Sequence, residues 1–159
     1  MNKEYVIRKA RIKDARAIHI VLLAAFEEFR DYYSIEGFKD TVLSEEKAID
    51  RINHMIVYVA VDFNGNIIGT IGWQRINNEE GHIRGMGVIP NWQGKNGPAA
   101  SLLKEVEDEA RLKGCSILTL DTTKVLRRAQ NFYYKNGFRK TGKTGDFFGC
   151  LIYEYAKKI

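Results

Sequence analysis

The chain has 159 residues, 45% of them hydrophobic and 28% charged, which is an ordinary composition for a folded globular protein. The length favours a single domain over residues 1–159, and no apolar run approaches the roughly 20 residues of a membrane-spanning helix. The first residues lead into a strand pattern without the apolar segment of a signal peptide, so we expect a cytoplasmic protein. The net charge of +5 permits a nucleic-acid partner, but the basic residues are dispersed, and a small polyphosphate ligand explains the excess equally well.

The first half of the sequence predicts one strand, two helices and then an antiparallel meander of three strands. Asp14 is a plausible N-cap for the first helix, and Ser44 caps the second. The segment 31–42 between these helices is irregular and aromatic. Asn64-Gly65-Asn66 indicates a hairpin turn because both residue types tolerate positive φ. The predicted ranges are 5–10 for the first strand, 15–29 and 44–53 for the helices, and 55–62, 67–74 and 83–89 for the meander.

The second half alternates between helix and strand patterns. Apolar residues at helical spacing from 99 to 110 predict a helix that ends at Gly114, and a second helix covers 126–136 before Gly137. Strands are predicted over 115–121, 138–141 and 147–155. The fold class is therefore mixed α/β, with a central, mostly antiparallel sheet of about seven strands and about four flanking helices.

The cysteines and histidines give no sign of a metal site. Cys115 and Cys150 both fall in predicted strands among apolar neighbours, so we expect buried, reduced thiols. His19, His54 and His82 are far apart, and no cysteine–histidine spacing resembles a zinc site. We therefore predict no metal.

The most informative stretch is the junction between the strand at 83–89 and the helix that begins near Ala99. The loop between them is rich in Gly, Lys and Asn. Such a junction turns several backbone N–H groups and the positive end of the helix dipole towards one point, where an anion binds. We interpret it as a pyrophosphate cradle; the alternative is a tight strand–helix turn without a ligand.

This junction and the order of the elements resemble the GNAT superfamily, the acetyl-CoA-dependent N-acetyltransferases. The resemblance covers almost the whole chain and is most specific in Met86-Gly87-Val88-Ile89-Pro90, in 93–99 and in 129–138. The family's loop has the form Gln/Arg-x-x-Gly-x-Gly/Ala. Gly97-Pro98-Ala99 fits its end, whereas Gln93 stands one residue too far upstream, as a one-residue insertion would place it.

The resemblance implies a GNAT fold whose sheet is splayed between the fourth and fifth strands, with acetyl-CoA as co-substrate in that slot. Gly85 and Gly87 fit the bulge or close backbone approach that splaying needs, or else they are ordinary strand glycines. The Val88 N–H would stabilise the developing oxyanion. The cofactor-binding residues implied are Met86, Val88, Gln93, Gly94, Lys95, Asn96, Gly97, Ala99, Ala100 and Tyr133.

The resemblance also implies the catalytic side chains. Tyr133 falls where the family places its general acid, which protonates the leaving thiolate; the alternative is a core tyrosine. Tyr134 points about 100° away around the helix, so we prefer Tyr133. Leu126 stands where many relatives carry Asn.

The general base is the most open assignment. His82 occupies the position that often bears Glu, and an imidazole suits the role of base, but His82 as a bystander is the alternative. We interpret Glu79 and Glu80 as solvated turn charges. Asp121 is a further carboxylate near the slot, and we expect it to cap or hydrogen-bond locally.

The acceptor pocket is predicted from three parts of the chain, namely segment 31–42, one hairpin residue and the loop 144–148. Their aromatic side chains suit an amine with an apolar or ring-bearing body: Tyr32, Tyr33, Phe38, Trp73, Phe147 and Phe148. Three carboxylates could attract the amine's charge: Glu27, Asp31 and Glu36.

The predicted function is transfer of an acetyl group from acetyl-CoA to a primary amine by direct attack. Small amines, aminoglycosides, amino acids, peptide N-termini and lysines all stay open as acceptors. The alternatives are a non-catalytic acyl-CoA-binding module on the same fold and, on charge alone, a nucleic-acid binder. We expect no nucleic-acid or membrane partner. The sequence leaves the oligomeric state open, and a homodimer, as in many relatives, is one option.

Overall fold

The computed structural model describes residues 4–159, so residues 1–3 of the predicted N-terminal pattern lie outside the described residues. Its framework is a seven-stranded sheet in the order β1-β2-β3-β4-β5-β7-β6. Neighbouring strands pair antiparallel, except β4 and β5, which run parallel. The strands are β1 (Tyr5–Lys9), β2 (Ile56–Asp62), β3 (Ile67–Arg75), β4 (Glu80–Val88), β5 (Ile117–Thr123), β6 (Arg139–Phe147) and β7 (Cys150–Lys158). The prediction of a mixed, mostly antiparallel sheet is confirmed.

The described residues form five α-helices, one more than the sequence predicts. The additional helix, α2, lies in the segment that looks irregular in the sequence, where the Ser34 hydroxyl caps it by accepting from the Gly37 N–H at 3.1 Å. Seven residues are too few to show a helical period among aromatic residues and a glycine. The helices are α1 (Ala15–Phe26), α2 (Ile35–Thr41), α3 (Glu45–His54), α4 (Ala99–Leu112) and α5 (Arg127–Lys135).

Two apolar clusters cover the two faces of the sheet. Leu102 and Val106 of α4 pack with Leu118 of β5 on one face, and all three are fully buried. Leu22 of α1 and Val59 of β2 belong to the cluster on the other face, which α1 and α3 cover. Because successive strand residues face opposite sides, this layering decides which side chains reach each surface.

A distortion of β4 opens the middle of the sheet. The register of β4 against β3 shifts between Thr70 and Gly72, which leaves β4 with one extra residue there. Gly85 lies at this bulge with φ of +70°, a conformation that favours glycine. Beyond the bulge β4 and β5 separate, because they pair only where 80–82 face 117–119. The predicted bulge at Gly85 and the predicted splay are confirmed.

The last hairpin differs from the prediction. β6 continues to Phe147, and the chain turns at Phe148 and Gly149, both with positive φ, before β7 begins. Most of β6 is exposed, so it carries no apolar alternation that would reveal its length. Cys115 is buried as expected, although it precedes β5, whereas the expectation of a buried thiol is wrong for Cys150, which is partly exposed.

Within residues 4–159, no helix combines the length and apolar character that a membrane crossing requires. The same residues contain no group of three or more His, Cys, Asp and Glu side chains placed to hold a metal ion.

Candidate active site

A cleft of about 1080 Å³ opens where β4 and β5 separate. The start of α4 and its preceding loop form one end of this cleft, and α1, α2 and α3 contribute side chains to the other. This volume lies just above the range of about 300–1,000 Å³ that is typical of ligand pockets, so the cleft suits a ligand as large as a cofactor.

The loop before α4 presents backbone groups to the cleft. Gly97 is packed so closely that a Cβ there would lie 1.7 Å from the Trp92 carbonyl oxygen, so only glycine fits. The N–H groups of Ala99 and Ala100 belong to the first turn of α4, which no intrahelical carbonyl reaches. The predicted loop residues that line the cleft are Gln93, Gly94, Lys95, Gly97, Ala99 and Ala100. Asn96 is exposed and is not part of the lining.

Two internal hydrogen bonds reduce the number of donors that the loop offers. The Gly97 N–H donates to the Gly94 carbonyl at 3.1 Å. The Gln93 side-chain amide donates to the Val88 carbonyl at 2.8 Å, so Gln93 ties the loop to β4. The Gly97 amide and the Gln93 side-chain nitrogen are therefore engaged within the protein, and the roles of Gln93 and Gly97 in cofactor binding stay predictions.

Tyr5 of β1 supports the loop from behind, which the sequence does not predict. Its hydroxyl lies 2.9 Å from Ser101 Oγ, and its ring packs edge-on against Trp92 with the centroids 6.2 Å apart. Tyr5 and Ser101 are 96 residues apart in the chain, so no local pattern could link Tyr5 to the loop.

The backbone N–H of Val88 points into the cleft. The Ile89 N–H donates to the Ile68 carbonyl at 3.0 Å, so Ile89 and Ile68 form a hydrogen-bonded pair between β4 and β3. The pairing alternates along antiparallel strands, and the next pair, Val88 with Gly69, therefore turns its backbone groups outward. On that side the ladder to β5 has already ended, which leaves the Val88 N–H directed at the space between the strands.

Tyr133 of α5 lies buried beside this space. Its hydroxyl donates to Met86 Sδ at 3.2 Å, and both residues line the cleft. Burial raises the pKa of the Tyr133 phenol well above its ordinary value, so the hydroxyl keeps its proton at neutral pH. Tyr134 instead faces solvent, with the Arg139 guanidinium 3.9 Å from its ring centroid. Leu126 also lines the cleft.

His82 belongs to a chain of polar groups across β4 and β5. The Thr119 hydroxyl donates to Glu80 Oε2 at 2.7 Å, so it must accept the proton of His82 Nδ1, which is also 2.7 Å away. This leaves His82 Nε2 on the cleft side, 3.5 Å from Asp121 Oδ2. Burial raises the pKa of the Asp121 carboxyl, and the nearby His82 opposes that shift. Glu79 is exposed as expected, but the interpretation of Glu80 as a solvated turn charge is wrong.

Of the predicted acceptor-site aromatics, Tyr33 and Phe147 line the cleft, with ring centroids 6.4 Å apart. Trp73 is fully buried under α4, where its indole N–H donates to Glu109 at 3.3 Å. The prediction for Trp73 is wrong because Gln74, its neighbour on β3, faces the cleft instead. Tyr32 is 60% exposed and outside the lining.

The remaining acceptor-site predictions also need correction. Phe38 is buried in the core, and Phe148 is half exposed at the hairpin tip and outside the lining. Glu27 pairs with Arg30 at 2.6 Å on the surface. The carboxylates that line the cleft are Glu28, Asp40 and Asp121, and two further aromatics do so, Phe26 and Phe29. The sequence gives Phe26 and Phe29 a helical period that is equally typical of core residues.

The family model for the acetyltransferase (GNAT) family matches residues 22–138 of this chain. The chain belongs to the GNAT acetyltransferase family. Its fold agrees with that of the PaiA N-acetyltransferase of Thermoplasma acidophilum, solved in complex with coenzyme A, at a TM-score of 0.83. The two chains are 24% identical, and each is covered completely.

Two further relatives are named an N-acetyltransferase and an N-acetylaspartate synthetase. The uncharacterized N-acetyltransferase YhfO of Bacillus subtilis is 28% identical over 155 residues, which cover 91% of this GNAT chain and 95% of YhfO. The N-acetylaspartate synthetase of Danio rerio is 34% identical over 127 residues, or 74% of this chain, and the match spans only 44% of that protein. This GNAT protein is therefore an enzyme, an N-acetyltransferase, as the sequence predicts.

Proposed function

We propose that this enzyme transfers the acetyl group of acetyl-CoA to a primary amine by direct attack inside the cleft. The observation that carries the proposal is the placement of three groups along one continuous space. These are the first turn of α4, the outward-facing Val88 N–H and the buried Tyr133 hydroxyl. The PaiA relative, which was solved with coenzyme A, supports the choice of cofactor.

The residues at the start of α4 fit a diphosphate. The Ala99 and Ala100 amides have no intrahelical acceptor, and the helix dipole adds positive potential at the same end. The Lys95 side chain brings a full positive charge to the lining. Gly97 has no room for a side chain and so lets the backbone close tightly there. When bound, acetyl-CoA supplies the activated acetyl group and a thiol leaving group.

Three groups of the chain act on the reaction in this proposal. The Val88 N–H donates to the thioester carbonyl oxygen, where negative charge develops. The Tyr133 hydroxyl, which keeps its proton at neutral pH, donates to the sulfur as it leaves. His82 Nε2 accepts a proton from the attacking amine, since the hydrogen bond to Thr119 holds the other ring nitrogen protonated.

Replacing His82 by Asn tests the general base. We expect kcat/KM at neutral pH to fall about tenfold, less than a full general base contributes, because Asp121 and water remain to accept the proton. The control is His54→Asn on exposed α3, which leaves kcat/KM unchanged. An unaltered kcat/KM in His82→Asn would make His82 a bystander.

A thiol-release screen with acetyl-CoA over amine classes tests the proposed function as a whole. We expect release of coenzyme A above the rate of hydrolysis with at least one class. One relative is named for N-acetylaspartate, an acetylated amino acid, which supports including amino acids in the screen. Binding of acetyl-CoA without thiol release over the whole panel would contradict the enzyme and favour the non-catalytic module.

Other parts of the sequence prediction remain predictions. They are the single domain, the cytoplasmic location and the absence of metal, nucleic-acid and membrane partners. The oligomeric state stays open, with a homodimer as one option. Sedimentation of the purified protein decides between the monomer and the dimer.

A further inference from the structure

Arg51 of α3 places a positive charge on the wall of the cleft. Its guanidinium lies against the β4 bulge, where a Cβ on Gly85 would be only 2.1 Å from Arg51 Nη1. No residue among 4–159 lies at hydrogen-bond or ion-pair distance from the Arg51 guanidinium. Burial and the neighbouring Arg84 lower the pKa of Arg51 to about 10, which leaves it charged at neutral pH.

The carboxylate that faces Arg51 is already engaged. Asp40 of α2 lies 3.0 Å from Arg84 Nη2, and both residues line the cleft beside Arg51. Arg84 is also within electrostatic range of Asp121, and Asp40 acts on Arg51 only from beyond ion-pair distance. A desolvated charge without a partner is costly, so the site favours an anionic group brought by a ligand.

The rest of the acceptor end indicates the shape of that ligand. The bulge that Arg51 covers lies directly before Met86 and Val88, where the acetyl group arrives in the proposed function. Phe26, Tyr33 and Phe147 give the same region an apolar wall. An acceptor bound there has its amine near the reacting carbon and a second functional group within reach of Arg51.

We propose that the acceptor amine carries a carboxylate that Arg51 binds, so that the substrate class is amino acids with apolar or aromatic side chains. The inference rests on the proposed function and specifies its second substrate. Arg suits this role because its planar fork binds a carboxylate through two parallel hydrogen bonds. A polyamine has no anionic group that Arg51 could bind.

Three matched acceptors measure what the carboxylate contributes to acceptor preference. L-Phenylalanine, L-phenylalaninamide and phenethylamine share the ring and the amine, and only the first carries the anionic group. We expect the wild type to prefer L-phenylalanine by about tenfold or more in kcat/KM, the effect of one charge-assisted pair. The amine of L-phenylalaninamide is less basic than that of L-phenylalanine, so a larger fraction of it is deprotonated and able to attack. This difference favours the amide, so a preference for L-phenylalanine cannot result from it.

In this proposal, Arg51→Met abolishes the preference for L-phenylalanine by raising the KM for that acceptor. Arg51→Lys retains part of the preference because the positive charge remains. Lys47→Met is the matched control, since Lys47 is exposed on the same helix and its loss changes the net charge equally. Calorimetry with coenzyme A checks that each variant keeps its fold and cofactor site. Titration of L-phenylalanine into the coenzyme A complex reports acceptor binding without turnover.

Two results would overturn the inference and leave the proposed function standing. One is a wild-type enzyme whose kcat/KM for phenethylamine or for L-phenylalaninamide equals its kcat/KM for L-phenylalanine. The other is an Arg51→Met variant that loses activity equally towards all three acceptors, which would assign Arg51 to the structure of the bulge. If no amine in the wider screen is acetylated, the proposed function itself fails, and this inference fails with it.

Discussion

Replacing Tyr133 by Phe is expected to lower kcat about 100-fold, the lower end of what a positioned general acid contributes. The substitution removes one hydroxyl and leaves the ring, which packs edge-on against Phe132 and Phe138. The fold should therefore survive, at the cost of one weak hydrogen bond to Met86 Sδ. The affinity for coenzyme A should change little, because the Tyr133 hydroxyl acts on the sulfur and not on the diphosphate.

Steady-state kinetics and calorimetry together measure this separation of kcat from cofactor affinity. Tyr134→Phe is the matched control, since Tyr134 is the next residue on α5 and its side chain faces solvent. We expect the control to behave like the wild type. If Tyr133→Phe keeps its full kcat, the leaving thiolate does not need this hydroxyl, and Tyr133 is a core tyrosine.

Replacing Gly97 by Ala is expected to weaken binding of coenzyme A about 100-fold, as the loss of two hydrogen bonds to a charged group would. The added methyl group would lie 1.7 Å from the Trp92 carbonyl oxygen and 2.9 Å from its carbon. Both are backbone atoms, so the clash can be relieved only if the loop moves away from the start of α4. That movement separates the Lys95 side chain from the Ala99 and Ala100 amides.

Isothermal titration of coenzyme A measures the loss, and thermal unfolding shows whether the fold is retained. Gly65→Ala is the control, because Gly65 has φ of +84° in the β2–β3 hairpin and nothing within 4 Å of its added Cβ. Its backbone strain costs about 1 kcal/mol of stability with no effect on coenzyme A. Unweakened binding by Gly97→Ala would show that the diphosphate does not use this loop.

The sequence predicts the parts of the site that depend on the local backbone. Glycines on either side of Met86 indicate the β4 bulge, and the structure places one of them there with positive φ. The strand–loop–helix junction is visible because strand, loop and helix residues follow one another without a gap. Tyr133 is identified by its position in the sequence, four residues before the Gly137-Phe138 pair, which is also a local signal.

Groups whose positions depend on tertiary packing cannot be predicted from the sequence. Trp73 and Gln74 are equally plausible on the hairpin, and only the position of α4 decides that Trp73 is buried. Arg51 stands 34 residues before Gly85, and the packing of α3 on the sheet brings them together. The Gln93 amide looks like a ligand for the cofactor, but the nearest acceptor in the fold is the Val88 carbonyl.

The central claim is that the start of α4 binds the diphosphate of coenzyme A while β4 holds the thioester. A crystal structure of the protein with acetyl-CoA tests this most directly. We predict diphosphate oxygens within hydrogen-bonding distance of the Ala99 and Ala100 amides, and the thioester carbonyl oxygen facing the Val88 N–H. A diphosphate bound elsewhere, or a thioester that points away from β4, would contradict the account.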